Sequence, residues 1–218
     1  MASKSQRAEW ANPTRELILT AAERLFAEHG VIAVSNRQIS EAAGQGNNTA
    51  VGYHFGTKLD LVRAVLRRHA TPIEELRQRL LTELGDEPDL RGWISCLVSP
   101  VAEHLAMVGS PSWFARFSAQ VVTDPALRSI SDEERLASPT LPRVIEGLTE
   151  CLPDLPAEVR AERGDMTRQL LVHTFADRER ALADGTPTPR DSWYDAADGL
   201  IDGLVGLWTA PVTNRSRH

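Results

Sequence analysis

The sequence predicts an all-α protein, with a small helical N-terminal domain followed by a larger helical domain. Apolar residues recur at spacings of three and four along most of the chain, which is the period of amphipathic helices. No stretch shows the alternation of apolar and polar residues that is typical of a half-buried strand. Glycine and proline fall between the periodic segments, where helices usually end.

Composition indicates a globular protein without a membrane segment. Hydrophobic residues make up 42% of the 218 residues and charged residues 25%. The N-terminus has no apolar core and no long apolar run follows, so we expect no signal peptide, no membrane span and a cytoplasmic location. Two cysteines without a Cys-x-x-Cys spacing indicate neither a disulfide framework nor a zinc module, and we expect no cofactor.

Charge is distributed unevenly along the chain. Residues 1–70 contain nine Lys or Arg and six Asp or Glu, whereas residues 71–218 contain fifteen and twenty-four. The first part is therefore basic and the second acidic, although the net charge of the whole chain is −6. This asymmetry favours a nucleic-acid partner at the N-terminal end, with chance scatter as the alternative.

The most informative stretch spans residues 35–61. Ser35 can cap a helix, and Gln38 lies three residues on, where its side chain completes a capping box. Gly44 can end that helix in the left-handed conformation. A polar turn and a second short helix ending near Phe55 follow. Helix, tight turn and helix are the plan of the helix-turn-helix motif, whose second helix enters a DNA major groove.

These residues also carry a family resemblance. The run Tyr-His-Phe-Gly-Thr-Lys-Leu-Asp-Leu, residues 53–61, resembles the signature of TetR-family transcriptional regulators, and residues 18–30 are similar to that family's first helix. The resemblance covers residues 14–68. From Gly44 to Phe55 the chain is one residue longer than is usual, so either the turn is longer or the second helix starts later.

The resemblance implies a function and a set of partners. A homodimer would bind a pseudo-palindromic operator in double-stranded DNA and act as a repressor. A small hydrophobic ligand would release the dimer from that DNA. The alternative is a DNA-binding regulator without such a ligand, controlled by a protein partner. We predict a flexible arm at 1–11, a helix-turn-helix domain at 12–56, a linking helix at 57–70, a helical effector-binding and dimerisation domain at 71–210, and a tail at 211–218.

Further helix boundaries follow from caps and breakers. Asn12 caps the first helix and Pro13 opens it, because proline at the first helical position loses no hydrogen bond. Pro72 should bend or break the linking helix, and Pro100 should interrupt the helix that starts near residue 89. Later helices are expected from about 111, 141, 157 and 191, with a surface loop or short helix over 123–140.

Several side chains around the second short helix are candidates for DNA contact. Asparagine, threonine and arginine can bond base edges in the major groove, and further polar groups can hold phosphates. For Asn47 and Asn48 the alternative is turn chemistry, and for His54 it is packing under the first helix. The resemblance implies backbone contacts at Tyr53, His54 and Lys58. The full candidate set is Arg37, Asn47, Asn48, Thr49, Ala50, Gly52, Tyr53, His54, Thr57 and Lys58.

The second half has aromatic residues without an evident reaction centre. An apolar ligand pocket is one interpretation and ordinary core is the other. The candidate ligand-binding residues are Trp93, Cys96, His104, Met107, Trp113, Phe114 and Phe117. Cys96, His104 and His173 would form a catalytic or metal site only if they met around an open cleft, and no enzyme motif occurs, so we expect no catalysis.

The last two helices are the candidate dimer interface. The final helix has one stripe of large apolar residues and one of small residues, and glycines inside a helix cost about 1 kcal/mol each relative to alanine. Close approach of a second chain would offset that cost, giving a four-helix bundle across a two-fold axis. A monomer with these helices in its core is the alternative. The candidate interface residues are Met166, Leu170, His173, Ala196, Gly199, Leu200, Gly203, Leu204, Gly206 and Leu207.

Overall fold

The structure is a computed structural model that describes residues 13–47, 49–152 and 154–213. Within these ranges it contains ten α-helices and no strand, which confirms the all-α class. The predicted arm, the Asn12 cap and Asn48 lie outside the described residues. The helices are α1 Pro13–His29, α2 Asn36–Ala42, α3 Ala50–Phe55, α4 Lys58–Glu83, α5 Leu90–Val108, α6 Phe114–Thr123, α7 Pro125–Leu136, α8 Leu141–Glu150, α9 Ala157–Ala183 and α10 Trp193–Thr209.

Two prolines lie inside helices that continue through them. Pro72 is within α4 and Pro100 is within α5, so neither breaks its helix. Proline cannot donate to the carbonyl four residues earlier, which for Pro100 is that of Cys96. The Nε of Arg77 donates to this carbonyl at 3.1 Å. A side chain from α4 thus satisfies the acceptor that the proline leaves without its helical donor.

The region between α5 and α8 is more helical than expected. The first helix there begins at Phe114, and Trp113 rather than Pro111 occupies its N-cap position. Residues 125–136 form α7, which Asp124 caps by accepting from the backbone N–H of Ala126 at 2.8 Å. The polar stretch that we assigned to a loop or short helix is therefore mainly a helix of three turns.

The helices form two compact units. The first contains Met1–Thr71 and Ser110–Ala137, and the second contains Pro72–Gly109 and Ser138–His218. In the first unit α6 packs on α1, where the fully buried rings of Phe26 and Phe117 stack with centroids 6.0 Å apart. The sequence groups residues 110–137 with the later helices, whereas in the structure they pack with the N-terminal ones.

In the second unit α5 packs against α10 and α8. Gly147 of α8 lies directly under the indole of Trp93, where a Cβ atom would come within 2.1 Å of the ring. Arg163 of α9 donates to the carbonyl of Trp208 at the end of α10, and Arg178 donates to the carbonyl of Asp191 just before α10 begins. Two buried arginines of one helix therefore hold both ends of the last helix.

No described helix is both long enough and apolar enough to cross a membrane.

Candidate nucleic-acid interface

The helix-turn-helix begins with the predicted capping box. The backbone N–H of Gln38 donates to the hydroxyl oxygen of Ser35, and the N–H of Ser35 donates to the side-chain oxygen of Gln38. Gly44 ends the helix with φ of 68°, and the N–H of Gln45 donates to the carbonyl of Ser40 at 2.9 Å. This six-to-one bond is the Schellman ending that glycine favours. The local sequence therefore defines both ends of α2.

The turn before α3 uses two of the candidate DNA-contact residues for its own geometry. The Oδ1 atom of Asn47 accepts from the backbone N–H of Thr49 at 2.9 Å and from its hydroxyl at 2.7 Å. Such an Asx-turn is the alternative that the sequence left open for Asn47. Both side chains are exposed, so they remain accessible at the start of α3.

The solvent-facing side of α3 is formed by Gly52 and Tyr53. Tyr53 is 85% exposed, and a Cβ atom at Gly52 would have no neighbour within 4 Å. The opposite side is formed by Val51 and Phe55, which are buried, and Ala50 is at the limit of burial. The Ala50 side chain therefore belongs to the core side of α3, whereas Gly52 and Tyr53 face outward.

Thr57 and Asp60 form a second capping box, at the start of α4. The Oδ2 atom of Asp60 accepts from the N–H of Thr57 at 3.1 Å and from its hydroxyl at 2.6 Å, and the Thr57 hydroxyl oxygen accepts from the N–H of Asp60. The hydrogen bond from the Thr57 hydroxyl lowers the pKa of the Asp60 carboxyl. The arrangement fixes the chain that leaves α3.

Lys58 contacts backbone carbonyls of its own chain. Its ammonium donates to the carbonyl oxygens of Val34 at 2.5 Å and Val31 at 3.1 Å, with that of Ile32 at 3.5 Å. An ammonium has three N–H donors, so these three carbonyl oxygens provide an acceptor for each of them. In this structure Lys58 holds the loop between α1 and α2, the loop that leads into the helix-turn-helix.

Arg15 is a positioning residue that the sequence did not reveal. Its Nη1 donates to the carbonyl oxygen of His54 at 2.8 Å, and its guanidinium lies 4.1 Å from the centroid of the Phe55 ring. The arginine of α1 thereby satisfies one of the last carbonyls of α3 and packs on the residue that anchors it. His54 is half-buried, and its ring meets Tyr53 edge-on at 5.0 Å.

Arg37 is exposed and pairs with Glu41 one turn along α2. Its Nε donates to the carboxylate at 2.8 Å, and this hydrogen bond raises the pKa of the already basic guanidinium. An exposed pair of this kind contributes little to stability. The side chain can therefore exchange its carboxylate partner for a phosphate or a guanine edge at small cost.

The candidate ligand residues fall in both units. Trp93, Cys96 and His104 are buried on α5 in the second unit, whereas Met107 is 69% exposed. Trp113, Phe114 and Phe117 lie in the first unit, where Phe114 stacks on His69 with centroids 3.9 Å apart and Phe117 stacks on Phe26. Phe114 and Phe117 thus contribute to the packing of the first unit.

The structure does not bring Cys96, His104 and His173 together around an open cleft. Cys96 and His104 are buried on α5, and burial raises the pKa of the Cys96 thiol, which keeps it protonated. His173 is exposed on α9, with its Nε2 atom 3.1 Å from the side-chain oxygen of Gln169. Among the described residues no group of three or more His, Cys, Asp and Glu side chains is arranged to hold a metal ion.

The candidate dimer residues separate into exposed and buried sets. Leu200 and Leu204 are buried within the chain itself, so they contribute to its own core. A Cβ atom at Gly199 would lie 3.3 Å from the guanidinium of Arg190. Ala196 and Leu207 are partly buried. The exposed members are Met166, Leu170, His173, Gly203 and Gly206.

The fold and the α2–α3 geometry define a helix-turn-helix protein with a helical body, and two family models match it. Residues 18–65 match the model described as bacterial regulatory proteins of the tetR family. Residues 95–206, just over half of the chain, match the tetracyclin repressor-like C-terminal domain. The chain belongs to the TetR family, which consists of transcriptional regulators and not of enzymes.

Individual relatives agree with this assignment. The HTH-type transcriptional repressor AcnR of Corynebacterium efficiens is 33% identical over 121 residues, which cover 53% of this chain and 62% of that protein. The AcnR of Corynebacterium glutamicum is 31% identical over 38% of this chain and 46% of that protein. The chain therefore spans about half the length of these curated relatives. The HTH-type transcriptional activator FasR of Mycolicibacterium smegmatis is 27% identical over 91% of this chain and 85% of that protein.

A solved structure is similar over most of both chains. The crystal structure of NalD, the secondary repressor of the MexAB-OprM multidrug efflux pump in Pseudomonas aeruginosa, has a TM-score of 0.57 at 26% identity. The match covers 88% of this chain and 93% of that chain.

Proposed function

We propose that the protein is a sequence-specific DNA-binding transcriptional regulator that inserts α3 into the major groove. The observation that supports this most directly is the outward side of α3, where Tyr53 is 85% exposed beside the open Gly52. An exposed tyrosine on a helix of six residues contributes nothing to the core, whereas its ring and hydroxyl can contact DNA.

The side chains around α3 divide into contact and positioning residues in this proposal. Thr49 and Arg37 are exposed at the start of the two helices and are the candidates for base contact, together with Asn47. Tyr53 is the candidate for phosphate contact. Arg15 and Lys58 act by holding backbone carbonyls, because their donors already have partners within the chain.

We further propose that two chains dimerise through α9 and α10. Met166, Leu170 and His173 follow one another by four and three residues, so they share a face of α9 that is exposed. On α10, Gly203 and Gly206 have open space where a Cβ atom would be. A dimer would place two recognition helices in successive major grooves of a pseudo-palindrome, with centres about 34–36 Å apart.

A small hydrophobic effector would act through the second unit. The buried side chains of Trp93, Cys96 and His104 on α5 support this proposal, because they offer apolar and polar contacts on one helix. Ligand binding would favour a conformer with the wrong spacing of the two recognition helices, and DNA affinity would fall by the differential binding energy.

The test of DNA binding is selection of genomic fragments by the purified protein, followed by the salt dependence of binding to the best fragment. We expect a short inverted repeat, and we expect Tyr53→Ala to weaken binding to specific and random DNA alike. Leu136→Ala is the matched control, because Leu136 is 80% exposed in the same unit but lies on α7. Failure to enrich any site at low salt, with the protein folded, would refute the proposal.

The test of dimerisation is Gly203→Arg, measured by analytical ultracentrifugation. Because the Cβ position is open and glycine is unfavourable inside a helix, the substitution should leave the folded chain intact while blocking close approach of a partner. Gly164→Arg is the control and should leave the mass unchanged, because Gly164 has equally open space but lies two residues from Met166 and therefore on another face of α9. A Gly203→Arg variant that sediments as wild type would show that α10 does not form the interface.

A further inference from the structure

A half-open cavity of about 690 Å³ lies at the surface of the first unit, between the N-terminal half of α1, the end of α3 and the first turns of α4. Its size is within the range of small-molecule sites, which is roughly 300–1,000 Å³. It is not lined by any of the residues that we assigned to effector binding. Its walls come from the helices that set the position of the recognition helix.

The cavity is lined by four arginines, three of which are paired with carboxylates. Four arginines contribute to its walls, and Glu16 and Asp60 are the acidic residues among the lining. The arginines are Arg15 of α1 and Arg63, Arg67 and Arg68 of α4. Glu23, Glu133 and Glu134 stand outside the lining but pair with three of these arginines, so the attraction for an anion depends on which guanidinium groups keep donors free.

Two of these arginines have unused donors. Arg15 donates from Nη1 to the carbonyl of His54, and within the described part of the chain no carboxylate lies within ion-pair distance of it. Arg67 donates from Nε to Glu134 at 2.8 Å, and its other nitrogens have no described partner. Because a guanidinium has five N–H donors in a fixed fork, both residues can bind an anion without losing their present contacts.

The other two arginines are neutralised more fully and form the sides of the site. Arg63 contacts the carboxylates of Asp60, Glu133 and Glu134 at 2.9–3.4 Å. Arg68 lies 3.6 Å from Glu23 and 3.8 Å from Glu16, and donates to the hydroxyl of Thr20 at 3.1 Å. These pairs reduce the field of the cavity and leave Arg15 and Arg67 as the principal ligands.

The lining also has an apolar part. Leu19, Phe55 and Ala64 contribute to the walls, so the carbon skeleton of an organic ligand can pack beside the charged groups.

We propose that this cavity binds a small organic acid carrying phosphate or carboxylate groups, held by the guanidinium groups of Arg15 and Arg67. Arginine binds both kinds of group through paired N–H donors.

Binding there would act on the recognition helix through Arg15. This residue holds the carbonyl of His54 at the end of α3 while its remaining donors would hold the anion, so binding in the cavity is coupled to the position of that helix. The anion also adds negative charge close to the surface proposed for DNA. We therefore expect the bound acid to lower DNA affinity, an expectation that rests on the proposed function.

The binding test uses the full chain without DNA. Inorganic pyrophosphate and succinate are titrated by calorimetry at constant ionic strength, with sodium chloride making up the difference. We expect saturable binding of one equivalent per chain, and the preferred probe distinguishes a phosphate from a carboxylate ligand. Arg15→Gln and Arg67→Gln should each weaken binding by about tenfold or more.

Arg79→Gln is the control, because Arg79 is an exposed arginine with one carboxylate partner in the second unit. It should bind as wild type does. Absence of saturable binding to either probe, or an equal loss in Arg79→Gln, would overturn the site. Arg67→Gln distinguishes loss of the ligand contact from misfolding, because the Arg67 side chain, unlike that of Arg15, donates to a carboxylate and not to a backbone carbonyl.

The regulatory step is tested separately, by operator affinity with and without saturating pyrophosphate or succinate at equal ionic strength. A loss of affinity in wild type that is absent in Arg67→Gln would support it. Unchanged affinity with the probe bound would refute the regulatory step, whereas a protein that binds the probe but no DNA would refute the proposed function alone.

Discussion

Replacing Arg77 with methionine tests whether a side chain compensates for the proline inside α5. Arg77 is buried, and its Nε donates to the carbonyl of Cys96, whose helical donor Pro100 cannot supply. Leaving a buried carbonyl without a donor costs about 1–3 kcal/mol. Methionine keeps much of the aliphatic volume, so the loss should come mainly from the hydrogen bond and not from packing.

Two further effects adjust that magnitude. Glu74 loses its contact with Arg77 but keeps the hydroxyl of Ser138 at 2.7 Å and the N–H of Thr140 at 2.9 Å, so it is not left without donors. Burial lowers the pKa of the Arg77 guanidinium, which means that the charged group is held at some desolvation cost that methionine would relieve. We expect a net destabilisation of about 1–3 kcal/mol.

The double-mutant cycle with Pro100→Ala isolates the hydrogen bond. Alanine at position 100 restores a backbone N–H that can donate to the carbonyl of Cys96, so Arg77→Met should cost about 1–2 kcal/mol less in that background. The assay is urea unfolding followed by circular dichroism at one protein concentration, because dimerisation would make stability concentration-dependent. Arg79→Met, at an exposed position on the same helix, should change stability by less than about 1 kcal/mol in both backgrounds. An equal cost of Arg77→Met with and without Pro100 would refute the compensation.

Three other substitutions test separate parts of the structure. Gly147→Ala should destabilise the protein by about 1–3 kcal/mol in urea unfolding, because the new Cβ would lie 2.1 Å from the ring of Trp93; wild-type stability would show that the two helices separate easily. Arg163→Met should speed amide hydrogen exchange in the last turn of α10, since the carbonyl of Trp208 loses its donor; unchanged exchange would contradict the clamp. Asp60→Asn should reduce the loss of thermal stability in acid, because the pKa of the Asp60 carboxyl is lowered in the folded state. The stabilisation by this carboxylate is complete above pH 3.8 and is lost as pH falls through the lower folded-state pKa. Identical profiles of thermal stability against pH for the two proteins would refute this.

Local signals in the sequence were sufficient for the short helices of the motif. The capping box at Ser35 and the left-handed Gly44 both depend on neighbours within five residues, and both occur in the structure as predicted. The expectation that Pro100 interrupts its helix was wrong for the opposite reason. The donor that lets α5 continue through Pro100 comes from Arg77, which lies on another helix and cannot be inferred from local spacing.

The grouping of α6 and α7 with the N-terminal helices was equally inaccessible to local reasoning. It depends on pairs such as Phe26 with Phe117, which are far apart in the sequence and have no periodicity in common. A stripe of buried aromatic residues predicts that a helix packs against something, but not which helix it packs against. The apolar positions of α6 were therefore recognised, whereas their partner was not.

At the candidate interface, residue type alone did not separate contact from support. Lys58 has the charge and the position of a phosphate ligand, yet its ammonium is surrounded by carbonyls of the loop before α2. Arg15 has no local signal, because its acceptor is the carbonyl of His54 thirty-nine residues away. Both roles follow from unsatisfied backbone acceptors, which the sequence does not display.

The support that these residues give has a consequence for DNA affinity. A helix of six residues, such as α3, is not stable on its own, so its position must come from tertiary contacts at its ends. Part of the basic charge at the N-terminal end serves that purpose: Arg15 and Lys58 bind carbonyls, and Arg63 is paired with carboxylates. The salt dependence of DNA binding counts only the cations that displace counterions from phosphates. It should therefore report fewer contacts per chain than the nine basic residues of positions 1–70 would suggest.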